Sequence, residues 1–172
     1  VLRTKRPHLI TESIKKSQVL AEDGGVFKVM VNWGLQEAQT LAHLKVKDVP
    51  SPIERDYTWV GKHKPFKHQR TTSSFLTLHK KAFCFNEQGT GKTASVIWAT
   101  DYLMNRGDVK RVLVIAPLSI MKSAWQQDLF KFAMHRSCSV AHGTAKQRRK
   151  IINAGAEFVI INFDGVAVVK DE

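Results

Sequence analysis

The run Asn86-Glu87-Gln88-Gly89-Thr90-Gly91-Lys92-Thr93 constrains this chain more than any other, because its glycines, lysine and hydroxyl residue are spaced to cradle phosphates. Before it, Ala82-Phe83-Cys84-Phe85 is a short apolar run of buried-strand type. After it, from Thr93 to Arg106, Val96, Ile97, Tyr102 and Leu103 fall at helical spacing. The expected context is therefore strand, loop, helix. Gly89 and Gly91 let successive N–H groups turn inward toward bound phosphates, with Thr90 between them, and the positive end of the following helix lies at the same place. Lys92 reaches the β- and γ-phosphates of a nucleoside triphosphate, and the Thr93 hydroxyl can ligate a magnesium ion. These two are the catalytic candidates. Asn86 stands where the full pattern has Gly or Ala, which leaves a glycine-rich turn with a chance lysine as the alternative reading.

A chain of 172 residues can bury one core of ordinary size, or one domain with a small appendage. Its 27 basic against 15 acidic side chains, a formal charge of +12, favour a polyanionic partner. Nucleic acid comes ahead of an anionic membrane, since no basic amphipathic helix stands out. No apolar stretch is long enough to span a bilayer, no secretory signal is evident, and Cys84 and Cys138 sit in apolar runs without zinc-type spacing. A reducing compartment is expected, the cytoplasm of a bacterial or phage-infected cell or, in a eukaryote, the nucleus. His63 and His68, beside Lys62, Lys64, Lys67 and Arg70, read as a basic surface or, less simply, as metal ligands.

Residues 1–60 read as a small appended module. Asp23-Gly24-Gly25 separates Gln18-Val19-Leu20-Ala21 from a run in which Phe27, Val29, Val31 and Trp33 alternate, so a β-hairpin is expected. Leu35, Ala38, Leu41, Ala42 and Leu44 then mark a helix face, and Val49-Pro50-Ser51-Pro52 ends it. The module can contact nucleic acid or simply cover a sheet edge. From 61 to 172 strands and helices alternate. The strands are expected at Ala82–Phe85, Val112–Ala116, Ser137–Ala141 and Glu157–Asn162, and the helices at Thr93–Arg106, Ile120–Ala133 and Ala145–Ala154. Such alternation implies an α/β fold with a parallel sheet and flanking helices, its ligand at the carboxyl edge of the strands.

With these pieces in order, the chain resembles the first RecA-like lobe of superfamily 2 helicases, and among them the Swi/Snf-like DNA translocases. Asn86 to Thr93 is similar to the family's Asp-Glu-x-Gly-x-Gly-Lys-Thr, with Glu87 kept and Asn86 replacing the first acid. Pro65-Phe66-Lys67-His68-Gln69-Arg70 resembles the segment carrying the adenine-reading glutamine. Val112-Leu113-Val114-Ile115-Ala116-Pro117-Leu118-Ser119-Ile120, followed by Trp125, resembles the family's motif Ia, and Phe158 to Asp164 its later strand ending in Asn-Tyr-Asp. His142-Gly143 and Arg148 resemble the intervening segment.

The resemblance implies that Gln69 reads adenine, that Glu87, Gly89, Thr90, Gly91, Lys92 and Thr93 hold ATP and magnesium, and that Ser119, Lys122 and Asn162 touch a sugar-phosphate backbone. Double-stranded DNA is the expected partner. Phe66 is a base-stacking candidate or an anchor for its helix. Lys146, Arg148, Arg149 and Lys150 can follow a phosphate backbone or form a solvated helix face, and Trp125 reads as core. The family's motor also needs a paired Asp-Glu on a later strand and a second lobe. Asp171-Glu172 reads as the start of a solvated helix, or else as that acidic pair. The chain is thus expected to be part of a larger DNA-dependent ATPase, inactive in hydrolysis alone. The alternatives are an RNA helicase, the translocating subunit of a restriction enzyme, a P-loop kinase or NTPase indifferent to nucleic acid, and a silent binding module.

Overall fold

A computed structural model describes residues 1–170, which divide into two compact units. Val1–Tyr57 with Ser74–Phe83 forms the first, and Thr58–Ser73 with the chain from Cys84 onward forms the second.

In the first unit, β2 (Ser17–Asp23) and β3 (Val26–Val31) make the expected antiparallel hairpin. Gly24 and Gly25 both take positive φ, 55° and 77°, which a two-residue turn matching strand twist demands. A third strand, β1 (Leu2–Thr4), pairs with the other edge of β3. Neither it nor α1 (Pro7–Ser13) was expected, since three residues carry no periodicity and α1 buries only Ile10. Val29, on the central strand, packs with Ile10, Ile14 and Leu41. α2 (Leu35–His43) buries Leu35, Ala38 and Leu41 as its spacing requires, and α3 (Ile53–Asp56) follows the Pro50-Ser51-Pro52 break.

The end of α2 is closed by Lys45 N–H on Ala42 O and Val46 N–H on Leu41 O, both 3.0 Å. This is a Schellman closure, and its left-handed residue is Lys45 at φ 59° where glycine is the usual occupant. A non-glycine residue in that region costs about 1–2 kcal/mol.

In the second unit, β4 (Val112–Ile115), β5 (Cys138–Ala141) and β6 (Phe158–Ile161) form a parallel sheet in the order β4-β6-β5. All four residues of β6 are buried, because helices cover both its faces. Phe158 and Ile160 join Val114, Ala116 and Ile97 of α5 (Lys92–Asn105) on one side, with Met121 and Leu129. Val159 and Ile161 face Ile151 of α7 (Ala145–Ile152) and Val169 of α8 (Phe163–Val169) on the other. That second layer leaves Leu113 and Ile115 of β4 exposed.

Two expectations are corrected. Ala82–Phe85 forms no strand, and Phe83 and Phe85 lie 81% and 89% exposed. The described sheet offers the run no neighbour, and four apolar residues cannot satisfy a ladder alone. The helix expected over Ile120–Ala133 is broken into a 3₁₀ turn at Leu118–Ile120, a π turn at Met121–Gln126 and α6 (Gln127–Phe132). Ser123 Oγ donates to Ser119 O at 3.0 Å, so a side chain engages the carbonyl that would begin a regular ladder. The slip still turns Met121 inward, 1% exposed, and packs Trp125 against the core, as expected of it. Asp171 and Glu172 lie outside the described residues.

Asp101 of α5 is fully buried and accepts from Arg136 Nε at 2.6 Å and His135 Nε2 at 2.8 Å. Arg136 also donates to Glu157 Oε1 at 2.7 Å and to Asn105 Oδ1. These bonds fix the far end of α5 to the chain that enters β5 and β6.

Candidate nucleotide and nucleic-acid sites

The helix α4 (Lys67–Leu78) begins beside the loop that precedes α5, and its first turns supply half of the site. Gln69 Oε1 accepts from Phe66 N at 2.9 Å, the return half of a capping box, so the amide is oriented by the start of its own helix. Its Nε2 then donates to Thr90 O at 3.2 Å. His68 Nε2 meets the same carbonyl at 3.1 Å, with its ring stacked on Phe66. Phe66 is 69% exposed, so it does not anchor the helix in a core.

Farther along the same face, Thr72 Oγ1 donates to His68 O and accepts from Asn86 Nδ2, both at 2.9 Å. Ser73 Oγ donates to Ser95 O at 2.9 Å in a buried bond to α5. Sequence reasoning missed Thr72, Ser73 and the structural part of His68. The signal was present, since small hydroxyl residues three and four places after Gln69 share its helix face. Asn86, the departure from the phosphate-loop pattern, is thereby the donor that ties the loop to α4.

The loop has the geometry its glycines require. Gly89 and Gly91 take φ of 75° and 76°. A Cβ on Gly91 would also collide with Gln69 Nε2. Gly91 caps α5 without any side-chain bond, so the helix presents open N–H groups and its positive end. Lys92 Nζ lies across the loop, donating to Asn86 O and Glu87 O at 2.8 Å each. Thr90 Oγ1 donates to Glu87 O at 2.8 Å. Thr93 is half-buried, and its hydroxyl has no partner among the described residues. A hollow of about 710 Å³ is lined by Lys67, His68, Thr72, Asn86, Glu87 and Thr90. Among the described residues no three His, Cys, Asp or Glu side chains could hold a metal by themselves, His63 and His68 included. A divalent ion fits here only as one carried by phosphates and met by an oxygen such as Thr93 Oγ1.

The remaining candidates gather at the carboxyl edge of the sheet. Ser119 and Lys122 are exposed in the turns after β4. Asn162, just after β6, is only 7% exposed, and its Oδ1 accepts from Arg148 Nη1 at 2.8 Å. Arg148 also donates to Ala141 O at 2.8 Å and Gly143 O at 2.9 Å. The guanidinium expected to meet a phosphate is thus engaged within the chain, where it joins the ends of β5 and β6. Arg149, Lys146 and Lys150 are exposed on α7, whose start is closed by a complete capping box between Thr144 and Gln147. Among the described residues no helix is long and apolar enough to cross a membrane.

Residues 59–169 match the family described as type III restriction enzyme, res subunit. Protein p41 of Acyrthosiphon pisum secondary endosymbiont phage 1 is 29% identical over 111 residues, covering 62% of this chain and 24% of that protein. Among solved structures, the Sulfolobus solfataricus SWI2/SNF2 ATPase core in complex with dsDNA superposes with a TM-score of 0.53 at 25% identity, over 62% of this chain and 23% of that one. The chain therefore spans about a quarter of the length of each relative. Through residues 59–169 the chain belongs to the family described as type III restriction enzyme, res subunit, and that stretch resembles a RecA-like lobe of the Swi/Snf-like superfamily 2 helicases.

Proposed function

We propose that the second unit binds ATP with magnesium, and that the chain is the ATP-binding part of a DNA-dependent ATPase that translocates on or remodels duplex DNA. The observation that carries this reading is the convergence on one loop of open α5 N–H groups, two left-handed glycines, the Lys92 ammonium and a glutamine held against Thr90. Lys92 exchanges its two carbonyl partners for β- and γ-phosphate oxygens. Thr93 Oγ1 offers the ion an oxygen, and the Gln69 amide offers adenine's edge a donor and an acceptor together. Magnesium supplies charge neutralisation across the phosphates.

On the polymer side, Ser119, Lys122 and Arg149 face the sugar-phosphate backbone. Arg148 and Asn162 shape the edge that positions it, without reading sequence. The boundary of this lobe near residue 60 belongs to the same reading. The family's description favours one variant of it, the translocating subunit of a restriction system.

Titration with a fluorescent ATP analogue tests the nucleotide half. Lys92→Ala lowers affinity by about 10- to 100-fold, the loss of charge-assisted bonds, and Gln69→Ala narrows the preference for ATP over GTP. Unchanged binding by Lys92→Ala would refute the site. Hydrolysis by the longer parent polypeptide tests the other half. Stimulation by duplex DNA that fades with salt supports the motor, whereas stimulation by RNA alone, or by no polymer, overturns it.

A further inference from the structure

The first unit lies mostly outside the family match, and it carries a charged groove that the nucleotide site does not use. This groove, of about 450 Å³, runs between the N-terminal strand and the turn after α2. Arg3, Lys5, Arg6, Lys45 and Lys47 line it, all exposed, and none forms an ion pair among the described residues. No carboxylate lines it. Asp48, the nearest acid in sequence, is exposed and likewise forms no ion pair among the described residues. Cations gathered without counter-charge repel one another, so their convergence points to an anion that neutralises several at once.

Lys45 adds a second, independent observation. It sits at the left-handed closing position of α2, φ 59°, where glycine would be unstrained. Asp48 also has positive φ, 54°, but Asp adopts that region more readily than Lys. A strained residue with no packing role to require it suggests that the ammonium itself is what the position serves.

We infer that this groove binds the phosphodiester backbone of duplex DNA, as a second contact independent of nucleotide. The lining contains no Phe, Tyr or Trp on which single-strand bases could stack. Its lining also holds Thr4 and the apolar Leu2, Leu9, Ile10, Leu44 and Val46, but these come from a strand, a short helix and a turn, not from one amphipathic helix of the kind that enters a membrane surface. The inference shares with the proposed function only the choice of DNA as polymer and uses none of that site's residues.

The test is fluorescence anisotropy with the whole chain, a short labelled DNA duplex and no nucleotide, across a salt series, with melting temperatures of each variant. Lys45→Gly should raise Tm by about 2–8 °C through relief of strain, yet weaken DNA binding roughly fivefold to tenfold near 0.1 M salt. Lys47→Gln should weaken binding similarly with Tm unchanged. Each should reduce the salt slope by about 0.9. The opposed signs for Lys45→Gly separate a ligand contact from a structural role.

Lys122→Gln reports on the lobe's own contacts, so failure of the proposed function would appear there alone. Wild-type affinity and slope in both groove variants would overturn the inference, whatever Lys122→Gln does and whatever happens to Tm. So would variants that lose binding to phosphatidylserine vesicles while keeping their affinity for DNA.

Discussion

Replacing Gly91 by alanine tests the architecture of the proposed nucleotide site, because two separate costs meet at one Cβ. The backbone at φ 76° lies in the left-handed region, which costs an alanine about 1–2 kcal/mol. The same methyl collides with Gln69 Nε2, and moving that amide forfeits its 3.2 Å bond to Thr90 O, about 1 kcal/mol. The sum is about 2–3 kcal/mol. If the folded loop keeps its shape, this appears as a loss of about 4–12 °C in Tm for a chain of this size. If the loop relaxes instead, the same energy appears as a 30- to 150-fold weaker affinity for ATP.

Thermal unfolding and analogue titration on the same preparation together account for the sum. A double variant, Gly91→Ala with Gln69→Ala, removes the collision and the lost bond at once, so its effect should fall short of the two single effects added by about 1 kcal/mol. Gly91→Ala with Tm within about 1 °C of wild type and unaltered ATP affinity would refute the reasoning. Strict additivity in the double variant would refute the part assigned to Gln69.

Arg136→Ala leaves the fully buried Asp101 carboxylate with one side-chain partner fewer. It should cost about 3–5 kcal/mol, read as a fall in Tm, with Arg136→Lys intermediate because it keeps the charge and loses the fork. An Arg136→Ala melt indistinguishable from wild type would show that the network is ornamental. For Glu157, burial alone would raise the pKa, but the Ser137 N–H and the Arg136 guanidinium outweigh it and hold the carboxyl below its ordinary 4.5. The unfolded chain then takes up protons first as pH falls. Glu157 therefore contributes stability above about pH 4.5 that is lost as pH drops through its folded value. The Tm gap between wild type and Glu157→Gln should shrink in acid, and a gap constant from about pH 6 to 3 would contradict this.

Much of the second unit was legible because its information is local. Val112–Ala116, Ser137–Ala141 and Glu157–Asn162 are apolar runs between turn signals, and all three became strands within a residue or two of the expected ends. The hairpin was announced by Asp23-Gly24-Gly25, and the loop by its glycines and lysine. What escaped depends on partners. Ala82–Phe85 has a strand's composition, but a strand exists only where another can bond to it. Arg148 reads as a surface cation because sequence shows charge and not direction. Three acceptors, on Ala141, Gly143 and Asn162, turn it inward. Asn86 reads as a defect in a motif until Thr72 is found opposite it.

The ionic socket around Asp101 has a mechanical consequence for the N-terminal end of the same helix. Lys92 and Asp101 lie nine residues apart on α5, about 13.5 Å along its axis. One end is footed on the buried Asp101 carboxylate and its guanidinium and imidazole partners, and the other opens onto two glycines. A rod held so firmly at its base resists being pushed along its length. The compliance of this unit then resides in the loop and its latch to α4, so a phosphate bound as proposed would be registered there as a change of grip.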